Sequence, residues 1–433
     1  MRRGLLLSTL MGAVLPAGLL AGCVSGLPVS PSPQRVSPIT YVTARSAADI
    51  TVGSAAYQQA ETGSEAFGLA LLKSLGDAAG AGNMVFSPQT LVDLLAMVLP
   101  GAQGETATQL SNALGDAGLS AATTAGALGR LDATARIDGN QDSNTLDESS
   151  DVWTATGLKL AQNYLATLDG AFGTGVHQAD FATDLQGSTQ AIDDLVAQET
   201  QGHIPLLFTA DSLDASTQVV LTDAVYLNAT WASPFDPNLT SPSDFYRADG
   251  SKTQVSMMRR TSDYEYASGK GWQLVEMPYS GGKMAMDIFL PDAGSGTLSA
   301  LRDGLTATSL NSMLGSLTKQ RVTLQIPRFT TDYSANDLIH MLTQLGLGSL
   351  FTDEDLGGVT ANHEPLTVSQ VVEKAYLAVG EKGTVAAAAA GGVLVGTSGE
   401  SPGITVDADH PFLYLVRDVP TGQILFAGQY GGH

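Results

Sequence analysis

Residues 381–403 read Glu-Lys-Gly-Thr-Val-Ala-Ala-Ala-Ala-Ala-Gly-Gly-Val-Leu-Val-Gly-Thr-Ser-Gly-Glu-Ser-Pro-Gly. This stretch has few charges and small side chains, and it lies between two strand-like runs. A connection this long without structure of its own is usually functional or disordered when it sits inside a compact domain. By propensity the alanine run suits a helix. It suits a strand equally well, because successive side chains of a strand alternate between two faces. Thr384, Ala386, Ala388, Ala390, Gly392 and Leu394 would then share the inward face, and none is charged. A segment so built can enter the middle of a sheet without steric or electrostatic conflict.

Outward from this stretch, short β-rich runs bounded by Pro, Gly, Asp or Asn predict strands at Gln218–Leu227, Gln273–Met277, Met284–Leu290, Val322–Ile326, Leu366–Val372 and Phe412–Val416. Apolar residues at helical spacing predict helices over 64–80 and 88–99. The second opens on Ser87-Pro88, a capping residue followed by proline at the first helical position. Helical signals dominate the first third and strands the rest, which predicts an α+β fold with helices packed on a large sheet. No second linker and no repeat period divides the region beyond residue 60, so residues 61–433 are expected to form one domain.

The formal charge of −22, from 21 Lys plus Arg against 43 Asp plus Glu, repels phosphate backbones and anionic polysaccharides. Nucleic acid is therefore not an expected partner. The single cysteine, Cys23, excludes an intramolecular disulfide and Cys-based metal clusters. Arg2 and Arg3 precede an apolar stretch from Leu5 to Leu20, and Leu20-Ala21-Gly22-Cys23 closes it with small residues at a processing site. Residues 1–23 thus read as a lipoprotein signal peptide resembling the bacterial lipobox, with lipidation at Cys23. An ordinary signal peptide or an N-terminal span is the competing reading. The stretch is short for a span and lacks a charged stop-transfer flank. Residues 24–60 hold Pro28, Pro31, Pro33 and Pro38 among Ser and Thr, as in an extended tether. Export and a lipid anchor on the bacterial membrane or envelope are expected.

Catalytic signatures are missing. No Gly-x-Ser-x-Gly, P-loop, His-Glu-x-x-His or dinucleotide Gly-x-Gly-x-x-Gly occurs in a usable context. His363-Glu364 lacks a second histidine four residues on, and it precedes Pro365 in a loop.

An ordered set of motifs identifies the body as resembling the serpins, from about residue 64 to 430. Asn83-Met84-Val85-Phe86-Ser87-Pro88 is followed by Gly101-Ala102-Gln103-Gly104-Glu105-Thr106. Thr222-Asp223-Ala224-Val225-Tyr226-Leu227-Asn228-Ala229-Thr230-Trp231 comes next, with Pro234-Phe235. Met277-Pro278-Tyr279, Leu290-Pro291, Ile326-Pro327-Arg328-Phe329, Gly346-Leu347 with Phe351, Glu381-Lys382-Gly383-Thr384, His410-Pro411-Phe412-Leu413 and Leu425-Phe426-Ala427-Gly428 complete the series.

The resemblance implies three β-sheets, eight or nine helices and an exposed reactive loop near the C-terminus. It also implies a suicide-substrate inhibitor of serine proteases rather than an enzyme. The target attacks the loop to form an acyl-enzyme, and the loop then inserts into the main sheet before the ester is hydrolysed. No cofactor takes part, and the chain is expected to be a monomer. Glu381, Gly383, Thr384, Ala386, Ala387, Ala388 and Ala389 match the family hinge, where small residues speed insertion. Counting seventeen residues from Glu381 inclusive places the reactive bond at Thr397-Ser398, with Gly396-Thr397 and Leu394-Val395 as alternatives. An uncharged residue before the bond favours elastase-like or subtilisin-like targets over trypsin-like ones, with cysteine proteases still open. The paired glycines Gly391-Gly392, which weaken an inserted strand, keep a non-inhibitory decoy or binding protein as the alternative.

Ser87, Asp223, Trp231, Arg328 and Glu373 match positions beneath and at the opening of the main sheet. Two depart from the family pattern, with Asp223 standing for an asparagine and Glu373 for a histidine. If both are buried together, one carboxyl is expected to hold a proton, and acid would favour the closed sheet. The competing reading turns one of them to solvent or onto a cation. Arg328 matches a basic residue that pairs with the hinge glutamate, here Glu381. The region 105–140, where some serpins bind heparin, offers only Arg130 and Arg136, so heparin is not an expected partner.

Overall fold

The run from Met84 to Phe86, the cap at Ser87 and the helix from Pro88 form the centre around which the rest is built. The computed structural model describes residues 39–43, 50–116, 118–142, 144–208, 212–293, 297–334, 338–384 and 403–433. In chain order the strands are β1 (Ile39–Val42), β2 (Met84–Phe86), β3 (Thr145–Ala155), β4 (Val176–Ala179), β5 (Val219–Thr230), β6 (Ser241–Tyr246), β7 (Lys252–Gly269) and β8 (Trp272–Pro278). They continue with β9 (Met284–Pro291), β10 (Thr318–Pro327), β11 (Phe329–Ser334), β12 (Val368–Gly380), β13 (Gly383–Thr384), β14 (Ile404–Asp407), β15 (Phe412–Asp418) and β16 (Ile424–Tyr430).

The main sheet runs β1-β4-β3-β5-β13-β12-β11. The remaining strands form a second hydrogen-bonded path, β14-β10-β7-β8-β9-β15-β16-β2, with β6 added on β7. The 18-residue β7 belongs to two sheets. It pairs with β6 and β10 over most of its length and with β8 only from Glu265 to Gly269. Three sheets result, and the fold is α+β. The strands β9, β15 and β16 are buried at every residue, so they read as largely apolar rather than alternating runs, with Asp287, Arg417, Asp418 and Gln429 among their buried polar residues.

Ten α-helices occur among the described residues. The first six are α1 (Ala55–Ala79), α2 (Pro88–Val98), α3 (Gly104–Ala113), α4 (Ala121–Gly139), α5 (Gln162–Phe172) and α6 (Leu185–Glu199). Then come α7 (Leu298–Gly304), α8 (Ala307–Gly315) and two single turns, α9 (Leu338–Leu342) and α10 (Ser349–Thr352). Leaving out these two turns gives eight, within the expected range. Every residue of α2 is buried. Its N-cap Ser87 accepts a hydrogen bond from the Thr90 amide at 3.3 Å, as Ser87-Pro88 predicts. On the other face of the main sheet, Ile192 and Val196 of α6 pack with Trp153, Val220 and Ala224.

The expected tether is corrected at its C-terminal end. Within residues 24–60, β1 pairs antiparallel with β4 from Ile39 to Val42, and α1 begins at Ala55 under the cap Ser54. Tyr57 and Ala60 bury in the core, which draws the helix back from its predicted start at 64. Residues 1–38, with the expected signal segment and Cys23, lie outside the described residues, as does most of the rest of the hinge and loop.

Candidate functional site: the seam of the main sheet

Strand β13 is two residues long and stands between β5 and β12 at one end of the sheet. Gly383 pairs with Thr230 and Gly380, and Thr384 pairs with Ala229 and Val379, antiparallel to both neighbours. Beyond it β5 and β12 pair with each other in parallel, from Tyr226 and Tyr376 down to Val219 and Val368. The sheet is thus parted by β13 at one end and closed along the remaining seam. Parallel pairing is slightly less stable per residue than antiparallel pairing, so this seam is the weaker kind of ladder.

Gly383 has φ of +152°, and a Cβ there would lie 2.0 Å from the Ala229 carbonyl oxygen. Only glycine fits between the two strands at this point. Thr384 is fully buried, and its hydroxyl meets the Tyr279 hydroxyl at 2.7 Å. The Tyr279 ring stacks on Trp231 with centroids 4.4 Å apart. Trp231 donates its indole N–H to the Gly380 carbonyl at 2.9 Å and its backbone N–H to the Lys382 carbonyl at 2.8 Å. Two stacked rings therefore hold the turn that feeds β13.

The Arg328 guanidinium donates to the Glu381 carboxylate, and Thr240 donates to the same oxygen at 2.8 Å. Burial pushes the Glu381 carboxyl up, but the hydrogen bonds from Arg328, its own backbone and Thr240 carry it below the ordinary carboxylate range. A depressed carboxyl stabilises the fold above its ordinary pKa of 4.5, and that contribution is lost as pH falls through the lower folded value. The Arg328 side chain is 53% exposed, so solvent screens the pair. Arg328→Ala is expected to lower stability by less than about 1 kcal/mol, read as the urea midpoint at neutral pH.

Along the seam, Asp223 of β5 and Glu373 of β12 are register partners, so their side chains point to the same face. Both are buried. The first turn of α2 reaches under them. The Ser87 backbone N–H donates to Glu373 Oε1 at 2.5 Å, and the Thr90 hydroxyl donates to Asp223 Oδ2. The Ser150 hydroxyl of β3 donates to Asp223 Oδ1 at 3.2 Å. Both Asp223 oxygens are thereby partnered, whereas Glu373 Oε2 has no hydrogen-bond partner. Burial pushes Asp223 up to about 7 against the Thr90 and Ser150 bonds. Burial and the Asp223 charge push Glu373 well above the usual carboxylate range. Asp223, with both oxygens accepting hydrogen bonds, is the better-housed anion of the two, so a proton shared by the pair is better placed on Glu373.

The structure brings Ser87, Asp223 and Glu373 together as expected, with different contacts. Ser87 spends its hydroxyl on the helix cap and meets Glu373 through its amide. Thr90 and Ser150 were not legible as partners. Thr90 sits one helical turn after the cap, which is a weak signal, and the pairing of β3 with β5 that delivers Ser150 leaves none.

Behind α2 lies a cavity of about 230 Å³ lined by Asp93, Asp132, Glu148, Asp151, Glu199 and Arg136, among others. Burial raises Asp93 and Glu148 and takes Asp132 to about 6. Arg136 turns into this cavity, 3.6 Å from Glu148 and 4.0 Å from Asp132. Among the described residues, no group of three or more His, Cys, Asp or Glu side chains is placed to hold a metal ion. The expected hinge residues Ala386, Ala387, Ala388 and Ala389 and the expected bond Thr397-Ser398 lie outside the described residues.

Comparison with known proteins agrees with this geometry. A family profile described as Serpin (serine protease inhibitor) matches residues 62–431. The chain is 33% identical to Iripin-2 of Ixodes ricinus over 374 residues, covering 84% of this chain and 91% of that protein. It is 30% identical to plasminogen activator inhibitor 1 of Neovison vison, with 84% of this chain and 90% of that one covered. A structure of native protease nexin-1 with heparin superposes with a TM-score of 0.76 and 27% identity, covering 87% of this chain and 99% of that one.

Proposed function

Because the chain belongs to the serpin family, we propose that it is a suicide-substrate inhibitor of serine proteases of the elastase-like or subtilisin-like kind. The observation that carries this reading is β13, already seated between β5 and β12 at the head of a closed seam. Antiparallel register can be carried down that seam. Ten residues beyond Thr384, Leu394 would come level with Val219 at its far end, because Thr384 starts level with Ala229. The proposed bond Thr397-Ser398 would then emerge just past the sheet. The inward residues along this path, Ala386, Ala388, Ala390 and Gly392, are small and uncharged.

In the proposed reaction the protease serine hydroxyl attacks the Thr397 carbonyl. An ester to Thr397 forms, the C–N bond to Ser398 breaks, and the proton passes to the leaving amine of Ser398. Insertion of the loop then moves the acylated protease to the far end of the sheet before water reaches the ester. We also propose export and lipid anchoring through Cys23. Heparin is not proposed as a partner, since Arg136 is engaged with Glu148 and Asp132.

The test mixes the protein with subtilisin, elastase, chymotrypsin and trypsin, followed by denaturing gels and mass analysis. The expected result is a complex that survives boiling, formed with elastase or subtilisin, together with release of the peptide Ser398–His433. Cleavage by every protease with no complex would replace this reading by the decoy, which the Gly391-Gly392 pair favours.

A further inference from the structure

The proposed insertion has to part Asp223 from Glu373, and the structure houses one negative charge there well and two badly. The backbone N–H groups of Ser87 and Ala224, the N-terminal end of α2 and the hydroxyls of Thr90 and Ser150 favour an anion. Among the described residues, the other ionisable groups that act on the pair are acidic or weakly so. Asp93 projects from α2, Glu148 and Asp151 from β3, and Tyr333 from β11. Further out, Asp132 on α4 and Glu199 on α6 add negative charge beside the same cavity. The cation of that cavity, Arg136, lies with Asp132 and Glu148. His177, further along, faces Asp151 at 3.2 Å.

We propose that the Asp223–Glu373 carboxyl pair is a pH-dependent lock on the seam, closed in acid while Glu373 keeps its proton and released toward neutral and alkaline pH when both carboxyls ionise. This deepens the inhibitor reading and rests on it. Continuing the β13 register six residues down from Thr384 brings Ala390 level with Glu373 and Asp223, since those lie six residues back from Val379 and Ala229. Insertion would place an alanine methyl between the carboxyls and increase their strand separation from about 4.8 Å to about twice that. Repulsion between like charges falls with distance, so the inserted form binds the proton less tightly than the closed form. The closed form, with the raised proton affinity, is favoured below its folded pKa and loses that advantage as pH rises through it. Each unit of pKa difference between the two forms is a factor of ten in their balance.

The experiment follows insertion after proteolytic cleavage of the loop in the full chain, from pH 5.5 to 8.5. The readouts are tryptophan emission, with Trp231 beside the entry point, and the gain in thermal resistance. Wild type is expected to insert at least tenfold faster at the alkaline end. Glu373→Gln, which mimics the protonated acid at every pH, is expected to stay slow and flat within twofold. Asp223→Asn is expected to be flat as well. The unfolding midpoint of the uncleaved protein is measured over the same range and is expected to fall with rising pH more steeply in wild type than in either variant, in which the other buried carboxyls still titrate. A wild-type slope in insertion rate that persists undiminished in both variants, or a flat wild-type rate with a gain in thermal resistance after cleavage, overturns the lock alone. Cleavage without any gain in thermal resistance at any pH overturns the loop-insertion reading, and the lock with it.

Discussion

Under the proposed mechanism, Thr384→Arg is expected to turn inhibition into substrate behaviour: the loop is cut and the protease walks free. Thr384 is fully buried between β5 and β12, and its hydroxyl meets Tyr279 at 2.7 Å. An arginine there must either bury an unpaired guanidinium or withdraw from the sheet. Both oppose the first step of insertion. Inhibition depends on a race between insertion and hydrolysis of the acyl-enzyme, and about 1.4 kcal/mol of barrier is a factor of ten in rate. A penalty of about 3 kcal/mol therefore slows insertion about a hundredfold, enough to let hydrolysis win. The measurement is a titration of protease against inhibitor. The number of inhibitor molecules consumed per protease silenced should rise from near one to more than about ten, since partitioning follows the ratio of the two rates. Gly383→Val should act similarly, because its side chain would collide with the Ala229 carbonyl at a positive φ. An unchanged stoichiometry in both variants would mean that the loop does not enter at β13.

Arg417→Met is expected to cause the largest loss of stability in the second sheet system. Arg417 lies in β15 and is buried. It donates from Nε to Asp287 of β9 at 2.5 Å and from Nη2 to Glu276 of β8 at 2.8 Å. Asp287 is fully buried, and its other oxygen has no partner. Removing one partner of a buried ion pair typically costs about 3–5 kcal/mol, because the remaining charge is left uncompensated. Here two carboxylates are stranded. Burial already pushes both Asp287 and Glu276 up, so in the variant they will take protons more readily still. A raised carboxyl favours the fold at low pH and loses that advantage as pH rises, so the deficit should shrink in mild acid and be full at pH 8. Urea midpoints at pH 5 and pH 8 check both statements. Replacing all three residues together by Met, Leu and Leu should recover most of the loss, as apolar replacements of buried ion clusters often do. A loss below about 1 kcal/mol would show the cluster to be reached by solvent in a way its burial excludes.

The two predictions divide the molecule as its sequence does. The contacts of Glu381, Gly383 and Thr384 at the head of the seam follow from residues the sequence singles out. Glu381, Gly383 and Thr384 stand where small or turn-forming residues are required, and the alternation from Thr384 onward names the inward set. The cap at Ser87-Pro88, the strand runs and the Arg328–Glu381 pair were legible for the same reason, since each is carried by local spacing or by an ordered motif. The helix from Ala55 and the strand at Ile39 were not, because proline and serine composition suggested a tether while tertiary burial of Tyr57 and an open sheet edge at β4 decided otherwise.

By itself the sequence determined the fold class and the identity of the two carboxyls at the seam. Only the tertiary structure decided what those carboxyls touch. Ser87 and Glu373 are 286 residues apart, and Ser150 and Asp223 are 73 apart. Their contacts depend on which strands pair and in what register, and a register is set by packing between elements rather than by the spacing within one. The same holds for Arg417 and its two acids, contributed by three neighbouring strands. Local chemistry is written along the chain, whereas the cost of burying charge depends on which distant residues the fold places beside it.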